Sequence, residues 1–142
     1  MIGFLLDTNV LSEFSRSAIP PDPKVQSWVE SISAEAFYTS VLSFGEIRKG
    51  IELLPPSKKR SELEQWLESA LDEWFGKNLL PVTKAISDRR GILAAKSQQH
   101  GKLVGNIDGL LAATAFEHGL TVATRNIKHF EHLGVALFDP WI

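Results

Sequence analysis

Four polar residues stand where a short apolar run hands over to a helical pattern: Asp7, Glu46, Asp108 and Asn126. Asp7 ends the run at 2–6 (IGFLL), and Glu46 comes about a turn and a half of helix after the strand-like 36–40 (AFYTS). Asp108 opens an apolar helical stretch, and Asn126 follows 120–124 (LTVAT). A carboxylate set against a buried strand is expensive unless compensated. Several that converge repel one another until a cation joins them. Oxygen ligands of this hardness suit Mg²⁺ or Mn²⁺. The chain has no cysteine, and His100, His118, His129 and His132 form no H-E-x-x-H pair, which leaves no softer ligand set. An ion held by bare carboxylates serves phosphoryl chemistry, because it also binds phosphate oxygens and lowers the pKa of a bound water. Each residue also has a plain structural use. Asp7, Asp108 and Asn126 suit helix N-caps, and Glu46 suits a capping box with Ser43. Taken together, the residues point to an acidic, divalent-metal, phosphate-handling site and name no substrate.

The elements that must position these groups follow from apolar periodicity. Strands are expected at 2–6, 36–40, 120–124 and 135–138, with a weaker strand or extended linker at 79–82. A short helix is expected over 10–16, and a second starts at Asp22 with Pro23 in its first turn and Val25, Trp28, Val29 and Ile32 on its apolar face. A third begins at Ser40 or Ser43 and carries Phe44, Ile47, Ile51 and Leu54. The longest runs from Ser57 or Ser61 to Phe75, with Gly76 as terminator. Thr83 caps the next, which ends before Gly101 and contains Gly91, a residue that suggests close packing or a bend. Two more are expected from Asp108 to Glu117 and over 125–133. Short strands alternating with helices predict an α/β fold with a mostly parallel central sheet flanked by helices, as one domain over 1–142.

Composition removes whole classes of function. A net charge of -2 excludes a globally cationic nucleic-acid coat. The charge is nonetheless segregated: 62–73 is acidic, and Lys84, Arg89, Arg90, Lys96 and Lys102 outweigh Asp88 in 84–102. No apolar run approaches the roughly 18 residues of a membrane span. The start has no basic region before its apolar run, so a cytoplasmic protein is expected.

Three segments, FLLDTNVLSE, SVLSFGEIRKGIELL and NIDGLLAATAFEHGLTVATRNIKHFEHLGV, occur in this order and cover most of the chemistry. In them the chain resembles the PIN-domain family, and within it the VapC-type toxins of bacterial toxin–antitoxin modules. That resemblance implies a PIN-like three-layer sandwich and a Mg²⁺- or Mn²⁺-dependent endoribonuclease. Asp7, Glu46 and Asp108 match the family's metal-binding acids, and Asn126 matches its fourth catalytic position. Many members carry Asp there or three residues on, whereas this chain has Asn126 and His129. Thr8, Asn9 and Thr124 match supporting residues that orient carboxylates or bound water. The family also implies an antitoxin that occludes the site, and a homodimer. Trp28 with Val29, and the stretch from Trp66 to Phe75, are candidate surfaces for these partners. An antitoxin's apolar residues would seek the face of Val25, Trp28, Val29 and Ile32, or that of Phe44, Ile47 and Ile51.

For RNA, the basic residues Lys84, Arg89, Arg125 and Lys128 are the expected backbone contacts, and only one of the adjacent Arg89 and Arg90 can face the groove. Attack by water predicts 5'-phosphate and 3'-hydroxyl ends. The rival reading is a catalytically impaired PIN-like module that only binds RNA or protein. Phosphatase and receiver domains fit less well, because D-T-N after the first strand lacks their second acid. No G-x-G-x-x-G follows that strand, which excludes a dinucleotide fold.

Overall fold

The structure, a computed structural model, describes residues 2–15 and 19–142. Its centre is a five-stranded, all-parallel sheet in the order β3-β2-β1-β4-β5. The strands are β1 (Phe4–Leu6), β2 (Phe37–Ser40), β3 (Leu79–Leu80), β4 (Thr121–Ala123) and β5 (Leu137–Phe138). Their register aligns Phe4 with Phe37 and Thr121, and Leu6 with Ala123. Because strand side chains alternate, the sheet feeds two cores. Phe4, Leu6, Phe37 and Ala123 join one cluster, while Leu5, Tyr38 and Val122 join the other.

Helices α1 (Thr8–Ser12), α2 (Pro23–Ser31) and α3 (Val41–Glu52) contribute to the first core, with α4 (Lys58–Gln65) and α5 (Asp72–Phe75). The second core is covered chiefly by α6 (Lys84–Gln99) and α7 (Asn106–His118). The expected α/β sandwich is therefore present, with a helical layer on each face of a parallel sheet.

Several boundaries differ from expectation, each for a local reason. The first helix starts at Thr8 rather than position 10, because Asp7 itself caps it. Arg16, the far end of the predicted helix, lies outside the described residues. Ser40, not Ser43, caps α3 by accepting from the Leu42 N–H. Helix α7 begins at Asn106 with Gly105 as its N-cap, so Asp108 sits inside the first turn. The segment 125–133 forms two 3₁₀ turns, Ile127–His129 and Glu131–Leu133, instead of one helix.

The long helix to Phe75 is interrupted by a π-helical stretch, Trp66–Leu71. The two tryptophans therefore do different things. Trp66 packs with Ile47 and Ile51, whereas Trp74 meets Phe14 edge-on at 5.6 Å and stacks on Phe75 at 4.8 Å. Trp28 packs on Phe4, Phe37 and Phe138 at 5.0, 5.3 and 5.1 Å. The stretches offered as partner surfaces are thus largely core: Leu67, Leu71 and Phe75 are buried, and Trp28 and Trp74 complete an aromatic cluster. The acidic run at 62–73 is partly neutralised on the surface by Arg60–Glu64 and Arg48–Glu68 pairs.

Gly91 does not mark close packing. It is exposed within α6, and a Cβ built on it would meet nothing within 4 Å. Gly91→Ala should therefore raise stability by about 0.5–1 kcal/mol through helix propensity alone. Urea denaturation checks this, and a lower midpoint would show that the helix needs glycine there.

Candidate active site

The strand order reverses direction at β1, which has β2 on one side and β4 on the other. In open parallel sheets, the crevice beyond the carboxyl ends of strands at such a switch point is where ligands bind. Asp7 leaves β1 there and Thr124 leaves β4. The backbone N–H of Asp7 donates to the Ala123 carbonyl at 3.0 Å, locking the two strand ends together.

Asp7 is buried, at 7% exposure. Its Oδ1 accepts from the Thr8 N–H at 2.8 Å, and its Oδ2 accepts from the Thr124 hydroxyl at 2.8 Å. The Thr124 oxygen in turn accepts from the Asn9 amide at 3.3 Å and the Asn126 N–H at 3.0 Å. The Asn9 amide oxygen accepts from the Arg125 N–H at 3.3 Å. On the other side, the Thr8 hydroxyl donates to Glu46 Oε1 at 3.0 Å, joining α1 to α3. Thr8, Asn9 and Thr124 thus form one polar web around the two acids. Asp7 serves as helix cap and cleft carboxylate at once, so its two sequence interpretations are compatible.

Asp108 reaches the same cleft from the first turn of α7, where the helix dipole favours a negative charge. Its Oδ2 lies 3.2 Å from Nδ1 of His129. The cleft measures about 580 Å³ and is lined by Asp7, Thr8, Asn9, Glu46, Asp108, Asn126 and His129, together with Gly105, Asn106 and Ile107. All four predicted catalytic positions therefore line one cavity. Gly105, Asn106 and Ile107 were not singled out by sequence, because an uncharged loop-to-helix junction carries no chemical signature.

The cationic candidates scatter. Arg125 follows β4 beside the web, but its guanidinium lies over the Trp141 ring at 5.3 Å. Arg89 pairs with Glu117 at 3.3 Å and lies over Phe116, lining a separate groove between α6 and α7. Lys84 and Lys128 are exposed and are not among the residues lining the acidic cleft.

A second groove, of about 390 Å³, adjoins the acids. Ile47, Ile51, Leu54, Leu63 and Trp66 give it an apolar wall, and Thr8 and Glu46 line both it and the cleft. Of the two apolar faces expected to meet a partner, the α2 face packs on the core through buried Val25 and keeps Trp28, Val29 and Ile32 partly exposed. Ile47 and Ile51 of α3 are buried core residues whose edges line this groove, and Phe44 lines a different depression.

Burial pushes the Asp7 carboxyl above the ordinary aspartate range. The Thr124 and Thr8 hydrogen bonds oppose the shift, and the nearby charges of Asp108 and Glu46 add to it. No cation stands within 4.0 Å of Asp7 among the described residues. In metal-free protein the folded state then holds the Asp7 proton more tightly than the unfolded chain. Its contribution to stability is most favourable below the unfolded pKa and declines as pH rises through the raised folded value. Asp7→Asn should remove this decline. Urea midpoints across a pH series in chelator, parent against variant, check it; parallel profiles would contradict it.

The three acids supply a hard, all-oxygen donor set, and a cation among them would offset the burial and like charges that raise the Asp7 pKa. Among the described residues, however, no three His, Asp or Glu side chains already stand in ion-holding geometry. The Thr8 hydroxyl, the Thr124 hydroxyl and His129 each engage one oxygen of Glu46, Asp7 and Asp108 respectively.

Comparison with known proteins places this arrangement in a family. The PIN domain profile matches residues 4–135. Toxin FitB of Neisseria gonorrhoeae is 37% identical over 137 residues, covering 96% of this chain and 97% of that protein. VapC ribonuclease Y4jK of Sinorhizobium fredii is 34% identical over 137 residues, 96% of each. The crystal structure of FitAcB from Neisseria gonorrhoeae superposes with a TM-score of 0.89 at 37% identity, over 97% of this chain and 98% of that one. A structure of FitAB bound to an IR36 DNA fragment gives 0.89 at 35% identity, over 98% and 96%. With the profile spanning four of the five strands and every acid of the cleft, and with relatives matched over nearly their whole length, the chain belongs to the PIN-domain family.

Proposed function

We propose that this protein is the toxin of a toxin–antitoxin pair, a Mg²⁺- or Mn²⁺-dependent endoribonuclease whose active site is the acidic cleft. The carrying observation is the convergence of Asp7, Glu46 and Asp108 on one cavity, with a buried carboxylate that has two acidic neighbours and no cation. The relatives named as a toxin and a ribonuclease support the same reading.

Asp7, Glu46 and Asp108 would hold the ion. When bound, it supplies a water of lowered pKa and offsets charge on the phosphate oxygens. Thr124 and the Thr8 N–H fix the Asp7 rotamer, so the carboxylate is oriented before any ligand arrives. The Thr8 hydroxyl keeps Glu46 at the mouth of the cleft. Asn126 offers a neutral oxygen at the fourth position, and His129 an imidazole beside Asp108. RNA would lie across this face, with Arg125 and Lys128 near its backbone and Lys84 and Arg89 at longer range. Hydrolysis by water leaves 5'-phosphate and 3'-hydroxyl ends.

An active ribonuclease in the cytoplasm of its own cell needs restraint. The apolar groove and the acids share Thr8 and Glu46, so one peptide can span both. Its apolar residues would fill the groove and an Arg would reach the carboxylates. The related structures named FitAcB and FitAB bound to a DNA fragment support a partnered assembly, and the assembly here is expected to contain a homodimer. Coexpression with a neighbouring small gene should yield a complex silent towards RNA, and partner removal should restore cleavage to 5'-phosphate products. Full cleavage by the saturated complex would contradict inhibition, and 2',3'-cyclic phosphate ends would contradict water as nucleophile.

A further inference from the structure

Arg90 is the basic residue of α6 that reaches the cleft region, and it does so through an uncharged neighbour. Its guanidinium donates from Nη2 to Oδ1 of Asn106, and Asn106 lines the acidic cleft. Arginine carries only donors, so the amide oxygen must face it and the Asn106 NH₂ must face the other way. The Arg90 stem lies flat against the first turn of α7. A Cβ on buried Gly109 would sit 3.4 Å from its Cγ and 3.6 Å from its Nε. That Nε is buried with no acceptor, and no carboxylate lies within 4.0 Å of the guanidinium among the described residues. Arg89, next along the helix, is by contrast paired with Glu117.

An arginine standing in the cleft itself would fall onto Asp108 or Asp7 and take the place of a cation. Set one residue back, it keeps its charge un-neutralised and presents a neutral donor forward. A phosphodiester is the group such a pair suits: an anion that must approach acids, and that gains from a donor with positive charge behind it.

We propose that Arg90 and Asn106 form a phosphate-binding element of the cleft, Asn106 donating its amide to an RNA phosphate and Arg90 orienting that amide and supplying its charge. This rests on the ribonuclease reading. The test uses the full-length Asp7→Asn protein, so that RNA stays intact, and fluorescence anisotropy with a labelled single-stranded RNA over a salt series. Asn106→Ala should weaken binding about tenfold with an unchanged salt slope. Arg90→Gln should weaken it similarly and lower the slope by about 0.7, the increment for one phosphate contact on a single strand. Arg90→Lys should keep the slope, and Lys96→Gln, at an exposed position on the same helix, should bind within about twofold of the parent. Unchanged affinity in Asn106→Ala, whose exposed position keeps the test valid even where Arg90→Gln folds poorly, overturns the proposal. So does an equal loss in Lys96→Gln, which would reveal only long-range charge. A parent that binds no RNA overturns the ribonuclease reading along with it.

Discussion

Asp7→Asn is expected to eliminate RNA cleavage while leaving the fold intact. Groups that merely orient metal ligands cost about 10–100-fold when removed, so if Asp7 is the direct ligand proposed above, its loss should cost more than about a hundredfold. The variant keeps the size of the side chain and an oxygen for the Thr8 N–H. What it removes is the negative charge, which burial and the neighbouring Asp108 and Glu46 already penalise. Loss of activity should therefore come without loss of stability at neutral pH. Single-turnover cleavage and urea denaturation of the same preparation separate the two. A variant that is inactive because it is unfolded would make Asp7 chiefly a helix cap, and one that cleaves normally would remove it from the chemistry.

The second large effect is thermodynamic. An ion that binds the folded protein alone stabilises it by about 2.7 kcal/mol at a hundred times its Kd. Mn²⁺ or Mg²⁺ should raise the urea midpoint, and chelator should return it to the metal-free value. In Asp7→Asn and Asp108→Asn proteins the increment should shrink or vanish, because charge compensation is its source. Glu46→Gln should behave likewise, since Glu46 is the third carboxylate of the set. A midpoint indifferent to divalent ions in the parent would contradict metal binding, whatever the activity.

Much of this was legible in the residues. The apolar run before Asp7 encodes a strand buried on both faces, and Leu5 and Leu6 are fully buried. Asp7, Glu46, Asp108 and Asn126 each follow an element whose end can be read from periodicity, so the topology brings them together once the sheet is parallel. Long-range contacts left no such trace. The Thr8 hydroxyl reaching Glu46, and the Arg90–Asn106 contact between α6 and α7, depend on how helices pack rather than on local pattern. The π stretch at 66–71 was hidden for a related reason: apolar residues spaced three and four apart read as one uninterrupted helix, and only packing shows that Trp66 and Trp74 are used differently. Gly91 misled because a glycine inside a helix suggests a tight contact, and here it faces open space.

The most direct measurement is cleavage of a defined RNA by the partner-free protein, first in chelator and then with Mg²⁺ or Mn²⁺ restored. The account predicts no cleavage in chelator, recovery with either ion, 5'-phosphate product ends, and no recovery in Asp7→Asn. Undiminished enzymatic cleavage after rigorous metal removal, abolished by the same substitution, would contradict it by leaving the carboxylates essential and the cation unnecessary.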